Sequence, residues 1–209
     1  MNPIATLHMK NGKKIVIELL PESAPNTVNS FIYVASKGYM DDHAIERIVP
    51  GNWVDISYTA FGKKECQYLI PNEFELNPQV VPLDSHPGVV AMGGYGEAGL
   101  ASCEFFFPLR DCPEHKGTYP VFGKVLEGMD EIYRLEKVDT VPVTDFPISG
   151  VEVNRPVEPQ IIERVELELF GQTYPEPVRV PNPELPPCWK QKIRNLISRK
   201  AGNSGFLCL

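Results

Sequence analysis

The stretch "IVIELLPESAPNTVNSFIYVASKGYMDD" (residues 15–42) changes its hydrophobic period part-way along. Residues 15–20 are mostly β-branched and apolar, as in a strand. In residues 28–35 the apolar side chains recur at i, i+3, i+4 and i+7, which places one apolar stripe along a helix. Pro25 suits the first turn of that helix, and Gly38 suits the position just after its end. The stretch therefore predicts a strand followed by an amphipathic helix.

Strand signals continue on both sides of this unit. Upstream, Asn11-Gly12 separates two β-rich runs, residues 4–10 and 13–20, and such a pair of residues is a strong signal for a hairpin. Downstream, short strand-like runs are found at 44–49, 53–58, 89–92, 103–107 and 119–125, with a second short helix predicted at 129–135. Residues 161–170 alternate apolar and charged side chains, which predicts a half-solvated antiparallel strand.

Together these elements predict the fold class. Many short strands, two helices and no alternating βαβ pattern favour a mainly β protein. The expected architecture is a closed or nearly closed antiparallel β-barrel with helical caps.

Charge divides the chain into unequal parts. The 209 residues have a net charge of −7, which makes nucleic acid a poor candidate as a partner. After residue 171 the sign reverses, with six Lys or Arg and two Asp or Glu. We predict a domain over residues 1–171, a Pro-rich extended linker over 172–187 and a basic amphipathic tail over 188–209.

The cysteines and the termini give further expectations. Five cysteines at irregular spacings, with no CxxC, argue against a disulfide framework or a structural zinc site. Cys112 and His115 are too few ligands for zinc, so no metal and no cofactor are expected. With no signal peptide and no long apolar run, a cytoplasmic location is expected.

Five ordered motifs carry a resemblance. "IVIELLPESAPNTVNSFIYVASKGYMDD", "IERIVPG", "PGVVAMGG", "EFFF" and "YPVFGKVLEGMDEI" together resemble the cyclophilin-type peptidyl-prolyl cis–trans isomerases over residues 4–170. The resemblance implies an eight-stranded antiparallel barrel closed by two α-helices, here with a C-terminal extension. It also implies isomerisation of Xaa-Pro bonds in proline-containing peptides or unfolded protein clients, without a cofactor.

The resemblance assigns roles to several side chains. "IERIVPG" aligns Arg47 with the catalytic Arg of the family, a fixed cation that stabilises the twisted imide. Phe106 aligns with the Phe of the family's proline pocket. Trp53 takes the position of a family Met, and Tyr119 replaces a family His at the rim, so both keep apolar area there.

Other aligned positions depart from the family. Asp55 and Glu104 each replace a Gln in the substrate groove. If both flank Arg47, they could hold its guanidinium in a bidentate pair, which would either preorganise the donor or divert it from the prolyl nitrogen. Gly93 and Gly94 occupy the edge that binds the substrate backbone, where Gly94 replaces an Asn.

Two further departures make the predicted socket more polar. Asn52 replaces a pocket Phe, and His115 replaces a Leu. Glu114 stands where cyclosporin-sensitive members have Trp, so weak cyclosporin binding is expected.

Two other interpretations remain open. The groove is either an active isomerase site or a catalytically weak module that binds a proline-containing partner. The basic tail either docks on its own domain or binds a membrane surface or an acidic partner. A monomer is expected.

Overall fold

The structure is a computed structural model, and it describes residues 1–189. The tail predicted for residues 188–209 lies outside the described residues, apart from Cys188 and Trp189. No helix in the described part of the chain is long and apolar enough to cross a membrane.

The N-terminal hairpin forms as predicted. Strand β1 (Ile4–Met9) pairs antiparallel with β2 (Lys14–Leu19). Gly12 in the connecting turn has φ +82°, a conformation that glycine adopts without steric cost. The alternation of buried side chains along β1 then places one face of the hairpin in the core.

Helix α1 (Pro25–Ser36) begins and ends close to the predicted positions. Its apolar stripe is buried, which confirms the interpretation of the helical spacing. No side chain at the residue before the helix caps it. The buried carboxylate of Glu73 instead accepts hydrogen bonds from the backbone N–H groups of Asn26 and Thr27, so it satisfies two free donors of the first turn.

The remaining elements follow in chain order: β3 (His43–Ala44), β4 (Arg47–Val49), β5 (Trp53–Asp55), β6 (Leu69–Ile70), α2 (Glu73–Leu76), β7 (Val89–Gly94), β8 (Leu100–Pro108), β9 (Val121–Glu127), α3 (Met129–Glu136), β10 (Thr140–Pro142), β11 (Asn154–Pro156) and β12 (Ile161–Glu168). The second predicted helix, α3, is confirmed within a residue of its predicted ends.

One curled antiparallel sheet carries most of these strands. Its order is β3-β12-β1-β2-β9-β7-β8-β5-β4, and β6 also pairs with β8. The two strands at the ends of this path, β3 and β4, are separated in the chain only by residues 45–46. The sheet therefore curls until the same short stretch of chain lies at both of its edges.

The mainly β class is confirmed, but the strand count differs from the predicted eight. The curled sheet in the described residues has ten strands, and β10 and β11 form a separate two-stranded sheet. The sequence missed β6, β10 and β11, since strands of two or three residues are too short to show an alternating pattern.

Strand β8 separates the core from a smaller cluster on the other face. Phe105 and Phe107 lie in the main core, whereas Phe106 packs with Val89, Ala91 and Val121. This alternation follows from the period of two along a strand. Phe105 and Phe107 therefore point inward, and Phe106 faces a cleft.

The segment after β12 runs along the curled sheet. Residues 172–186 contain no helix or strand. Val178 exchanges two hydrogen bonds with the side chain of Asn26, and Val180 donates from its backbone N–H to Leu69. The Arg179 guanidinium lies 4.0 Å from the ring centroid of Tyr68. These contacts hold the segment against the sheet.

Candidate active site

A cleft of about 970 Å³ lies on the Phe106 face of the sheet. All ten residues that the resemblance assigned to the site line it: Arg47, Asn52, Trp53, Asp55, Gly93, Gly94, Glu104, Phe106, His115 and Tyr119. They come from four neighbouring strands, from the turn between β4 and β5, and from the segment between β8 and β9.

Arg47 is held at one wall of this cleft. Strands β4 and β5 pair Arg47 directly opposite Asp55, and the Arg47 Nη1 donates to Asp55 Oδ2 at 3.0 Å. The Arg47 Nε donates to the backbone oxygen of Glu152 at 2.6 Å. Within residues 1–189 no hydrogen bond is found for Nη2. The guanidinium is therefore oriented by two acceptors and keeps donors that a ligand can use.

The environment of this ion pair is largely dry. The Arg47 and Asp55 side chains are each 14% exposed, and the guanidinium lies 5.3 Å from the ring of Trp53. Burial raises the pKa of Asp55 to about 6, although the adjacent Arg47 opposes that shift. Protonation of Asp55 near pH 6 would therefore change the net charge of the ion pair from zero to positive.

An aromatic socket adjoins the guanidinium. The ring centroid of Phe106 lies 6.3 Å from that of Trp53 and 6.0 Å from that of Tyr119, both in edge-on geometry. The Trp53 Nε1 is buried and has no partner among the described residues. The socket thus combines apolar walls with one free donor.

His115 completes the socket, since its ring contacts all three aromatic side chains. Its centroid lies 4.9 Å from that of Tyr119, 5.5 Å from that of Phe106 and 5.7 Å from that of Trp53. Burial lowers the pKa of His115. The imidazole is therefore neutral at pH 7, and it serves the socket as a flat ring.

Glu104 lines the cleft, but the bidentate arrangement of Asp55 and Glu104 about Arg47 does not form. Its carboxylate accepts hydrogen bonds from the Ala60 backbone N–H at 2.6 Å, from the Tyr95 hydroxyl at 2.5 Å and from the Trp189 Nε1 at 2.7 Å. Within residues 1–189, Asp55 is the one acidic side chain that forms an ion pair with Arg47. The Glu104 carboxyl group is directed instead toward Ala60 and Tyr95, where the C-terminal segment also supplies a donor.

Gly93 and Gly94 lie on β7, beside β8. A Cβ at Gly93 would meet the Glu104 backbone oxygen at 2.7 Å, so a side chain does not fit there without movement of the strands. A Cβ at Gly94 would lie 3.0 Å from a methyl group of Leu100. The close approach of β7 to β8 leaves bare main chain at this wall.

Asn52 faces the cleft with its polar group already bonded. Its Oδ1 accepts from the Arg110 Nε at 2.9 Å, and Arg110 also pairs with Glu114 at 2.6 Å. Asn52 therefore contributes a polar rim in place of an apolar wall.

The sequence missed two segments that also line the cleft. One is the loop of residues 146–152, which includes the Glu152 oxygen bonded to Arg47. The other is residues 184–187, within the Pro-rich segment. Neither has a periodic pattern, and the contact of Arg47 with a backbone oxygen leaves no signal in side-chain identity.

One group of possible metal ligands lies near the socket. Donor atoms of Cys112, Glu114 and His115 lie within 4.8 Å of one another. The guanidinium of Arg110 already holds the Glu114 carboxylate and would repel a metal ion. Three ligands with an adjacent cation fit a structural zinc site poorly.

Comparison with known proteins agrees with this architecture. The family model described as "Cyclophilin type peptidyl-prolyl cis-trans isomerase/CLD" matches residues 4–167. Peptidyl-prolyl cis-trans isomerase B of Bacillus subtilis is 32% identical over 124 residues, which cover 58% of this chain and 82% of that protein. Peptidyl-prolyl cis-trans isomerase-like 1 of Aspergillus niger is 31% identical over 142 residues, 66% of this chain and 85% of that protein.

Other relatives are much longer than this chain. Peptidyl-prolyl cis-trans isomerase-like 2 of Cryptococcus neoformans is 29% identical over 140 residues, and the match spans only 24% of its length. Among solved structures, a Cryptosporidium parvum cyclophilin-type isomerase, crystallised in the presence of the dipeptide Ala-Pro, superposes with a TM-score of 0.61. It is 17% identical, and the match covers 79% of this chain and 98% of that one, so it supports the fold. By the extent of the family match, the chain belongs to the cyclophilin-type peptidyl-prolyl cis-trans isomerase family.

Proposed function

We propose that this chain catalyses cis–trans isomerisation of Xaa-Pro bonds in peptides or unfolded proteins. The observation that carries the proposal is the position of Arg47, whose partly free guanidinium adjoins the Phe106 socket in one cleft. The substrate proline would occupy the socket, and the guanidinium would face its imide nitrogen.

The chemistry requires little more than a fixed cation. Rotation about the imide crosses a barrier of about 18–20 kcal/mol, because the nitrogen lone pair is delocalised into the carbonyl. At the twisted transition state that lone pair becomes a hydrogen-bond acceptor. A donor aimed at it stabilises the transition state more than either planar form, and each ~1.4 kcal/mol of that preference gives a tenfold rate.

Two acceptors orient Arg47 for this task. The bonds from Nη1 to Asp55 and from Nε to the Glu152 oxygen restrict the guanidinium before a substrate arrives. Preorganised donors in a partly dry site act more strongly than solvated ones. Asp55 would also weaken the stabilisation of the transition state, because its negative charge offsets the field of Arg47.

The socket would hold the ring while the preceding residue turns. Phe106, Trp53, Tyr119 and His115 offer flat faces to a pyrrolidine ring. Bare main chain at Gly93 and Gly94 offers a wall along which an extended peptide can lie.

A binding module without useful catalysis is the second candidate. The Arg47–Asp55 ion pair favours it, because a neutralised guanidinium is a weaker electrostatic catalyst. In that case the same socket would recognise a proline-containing partner.

An isomerisation assay separates the two candidates. Magnetisation-exchange NMR on a panel of Xaa-Pro tetrapeptides, which differ in the residue before proline, measures both binding and exchange. Faster exchange between the cis and trans forms supports the enzyme. Saturable binding with no acceleration for any peptide in the panel supports the binding module.

A further inference from the structure

Trp189 is inserted into the domain at the Glu104 end of the cleft. Its side chain is 1% exposed, and the preceding Cys188 is 3% exposed. The indole packs edge-on against Tyr95 with the ring centroids 5.7 Å apart, and its Nε1 donates to Glu104. A residue predicted to lie at the start of the basic tail is therefore built into the domain.

The register of β8 relates Trp189 to the proposed proline socket. Glu104 and Phe106 are two residues apart on this strand, so their side chains point to the same face. Phe106 forms the socket, and Glu104 holds the indole. Trp189 belongs to the main core and does not itself line the cleft, but it lies directly behind Glu104 and Tyr95, which form the cleft wall beside the socket.

The segment that precedes Trp189 forms the rim above it. Residues 184–187 line the cleft together with Tyr95 and Ala98. Farther back, the contacts of Val178, Arg179 and Val180 hold the same segment to the sheet. The rim is thus anchored at both ends, by Arg179 and its neighbours and by the indole.

We propose that Trp189, held by Glu104, is a specificity-determining residue that closes one end of the substrate cleft. A substrate would extend freely from the proline socket only at the Arg47 end, and a large side chain would be excluded at the Glu104 end. The inferred substrate preference rests on the proposed isomerase function, whereas the closure of the Glu104 end of the cleft by Trp189 does not depend on that function.

Removal of the indole would open a hollow with a specific chemistry. Tyr95 would form one wall, and the Glu104 carboxyl group would lie at the base with the acceptor position vacated by the indole, while it keeps its bonds to Ala60 and Tyr95. Such a hollow suits a flat ring that carries an N–H donor. The Trp189→Ala variant should therefore accept a Trp side chain of a substrate, or free indole, where the native protein accepts neither.

The first test compares substrate profiles. Proline peptides carry either Ala or Trp at each of two positions before and two positions after the isomerising bond. At one of these positions, we expect Trp189→Ala to raise the Trp-to-Ala ratio of kcat/KM by about tenfold over the native protein. Trp189→Phe keeps a ring in place and should keep the native profile. A uniform change at all positions would reduce Trp189 to a structural role and overturn the proposal.

The second test does not depend on activity. Indole added to Trp189→Ala should bind with 1:1 stoichiometry by calorimetry, and it should not bind at this site in the native protein. Absence of isomerase activity with indole binding intact would reject the proposed function and keep the closed end. Normal activity, no indole binding and an unchanged profile would reject the closed end alone.

A third test uses the native chain and therefore does not require a destabilised variant to fold. The sequence contains two tryptophans, so 5-fluorotryptophan labelling gives two ¹⁹F resonances, which Trp189→Phe assigns. A saturating Ala-Pro peptide should shift the Trp53 resonance and leave that of Trp189 in place. A shift of the Trp189 resonance to the solvent-exposed position would show that substrate displaces the indole, which contradicts a fixed wall.

Discussion

The Arg47 guanidinium donates to Asp55 across 3.0 Å, from directly opposite positions on β4 and β5. The same guanidinium bonds to the Glu152 oxygen through a different nitrogen. Loss of the charge on Asp55 would therefore leave Arg47 with an acceptor oxygen at Asp55 and with its bond to Glu152. This relationship separates the charge of the ion pair from the orientation of the cation, and it makes the role of Asp55 testable.

Activity should rise as the pH falls through about 6. Burial raises the pKa of Asp55 to about 6, so below that pH the carboxyl group is neutral and the field of Arg47 is no longer offset. We expect kcat/KM for an uncharged peptide to increase by up to about tenfold between pH 8 and pH 5. Exchange NMR measures this without a coupling protease.

Asp55→Asn is the matched control for that profile. It keeps the shape and an acceptor oxygen, so it should have the low-pH activity of the native protein at every pH. Burial lowers the pKa of His115 as well, and the comparison with Asp55→Asn, which keeps His115, separates its titration from that of Asp55. If kcat/KM of the native protein does not change with pH, or if Asp55→Asn has the same pH profile, then Asp55 does not control the activity.

Stability should fall as the pH rises toward about 8. Burial raises the pKa of Glu104 from 4.5 to about 8, so the folded state binds this proton more tightly than the unfolded chain does. The resulting stabilisation is complete below about 4.5 and is lost as the pH rises through 8. Between pH 6 and 8.5 we expect Tm to fall by about 3 °C or more.

Glu104→Gln supplies the control for the stability profile. The amide can still accept from Ala60 and Trp189 and can donate to the Tyr95 hydroxyl, but it does not titrate. Thermal denaturation followed by circular dichroism should show a smaller slope of Tm against pH in this variant. The same slope in both proteins would assign the effect to other groups.

Shortening Phe106 should affect substrate binding more than folding. Phe106 belongs to the small cluster on the cleft face, whereas its neighbour Phe105 packs against Phe31, Phe107 and Phe122 in the main core. We expect Phe106→Leu to raise KM for proline peptides several-fold at nearly native stability. Phe105→Leu should lower the free energy of unfolding by about 1 kcal/mol with KM unchanged. Equal effects of the two substitutions on KM would contradict a socket at Phe106.

The Pro-rich segment should depend on Arg179 for its attachment. The guanidinium lies 4.0 Å from the ring centroid of Tyr68 and 5.1 Å from that of Tyr33. Arg179→Ala should lower the free energy of unfolding by about 1 kcal/mol, measured by urea denaturation. It should also speed hydrogen exchange at the Val178 and Val180 amides, which are bonded to Asn26 and Leu69. Arg179→Lys should have a free energy of unfolding and amide exchange rates between those of the native protein and Arg179→Ala. Native exchange rates in Arg179→Ala would show that the segment is held elsewhere.

The elements predicted from the sequence are those in which the hydrophobic pattern extends over enough residues to be detected. The hairpin at Asn11-Gly12 and the helical stripe of α1 are local patterns, and both form as predicted. Strands β6, β10 and β11 have two or three residues each, which is too short for alternation to be detected. Their pairing depends on where distant segments of the chain meet.

At the candidate site, too, local sequence could not predict the contacts that join distant segments of the chain. The resemblance assigned ten residues, and all ten line one cleft, but it gave no indication that Glu104 bonds to Trp189. Its partner Trp189 lies 85 residues away in the sequence, and no alternation or spacing connects the two. The Glu152 acceptor was missed for a related reason, since a backbone oxygen is independent of residue type.

The most direct measurement compares native protein, Arg47→Lys and Arg47→Ala in exchange NMR on an Ala-Pro tetrapeptide, with peptide affinity measured in parallel. Arg47→Ala should lose about 100-fold or more in the catalysed exchange rate while it still binds the peptide through the Phe106 socket. Arg47→Lys should recover only part of that loss, because an ammonium group lacks the planar fork that reaches Asp55, Glu152 and a substrate together. Exchange at the native rate in Arg47→Ala would contradict electrostatic catalysis by this residue.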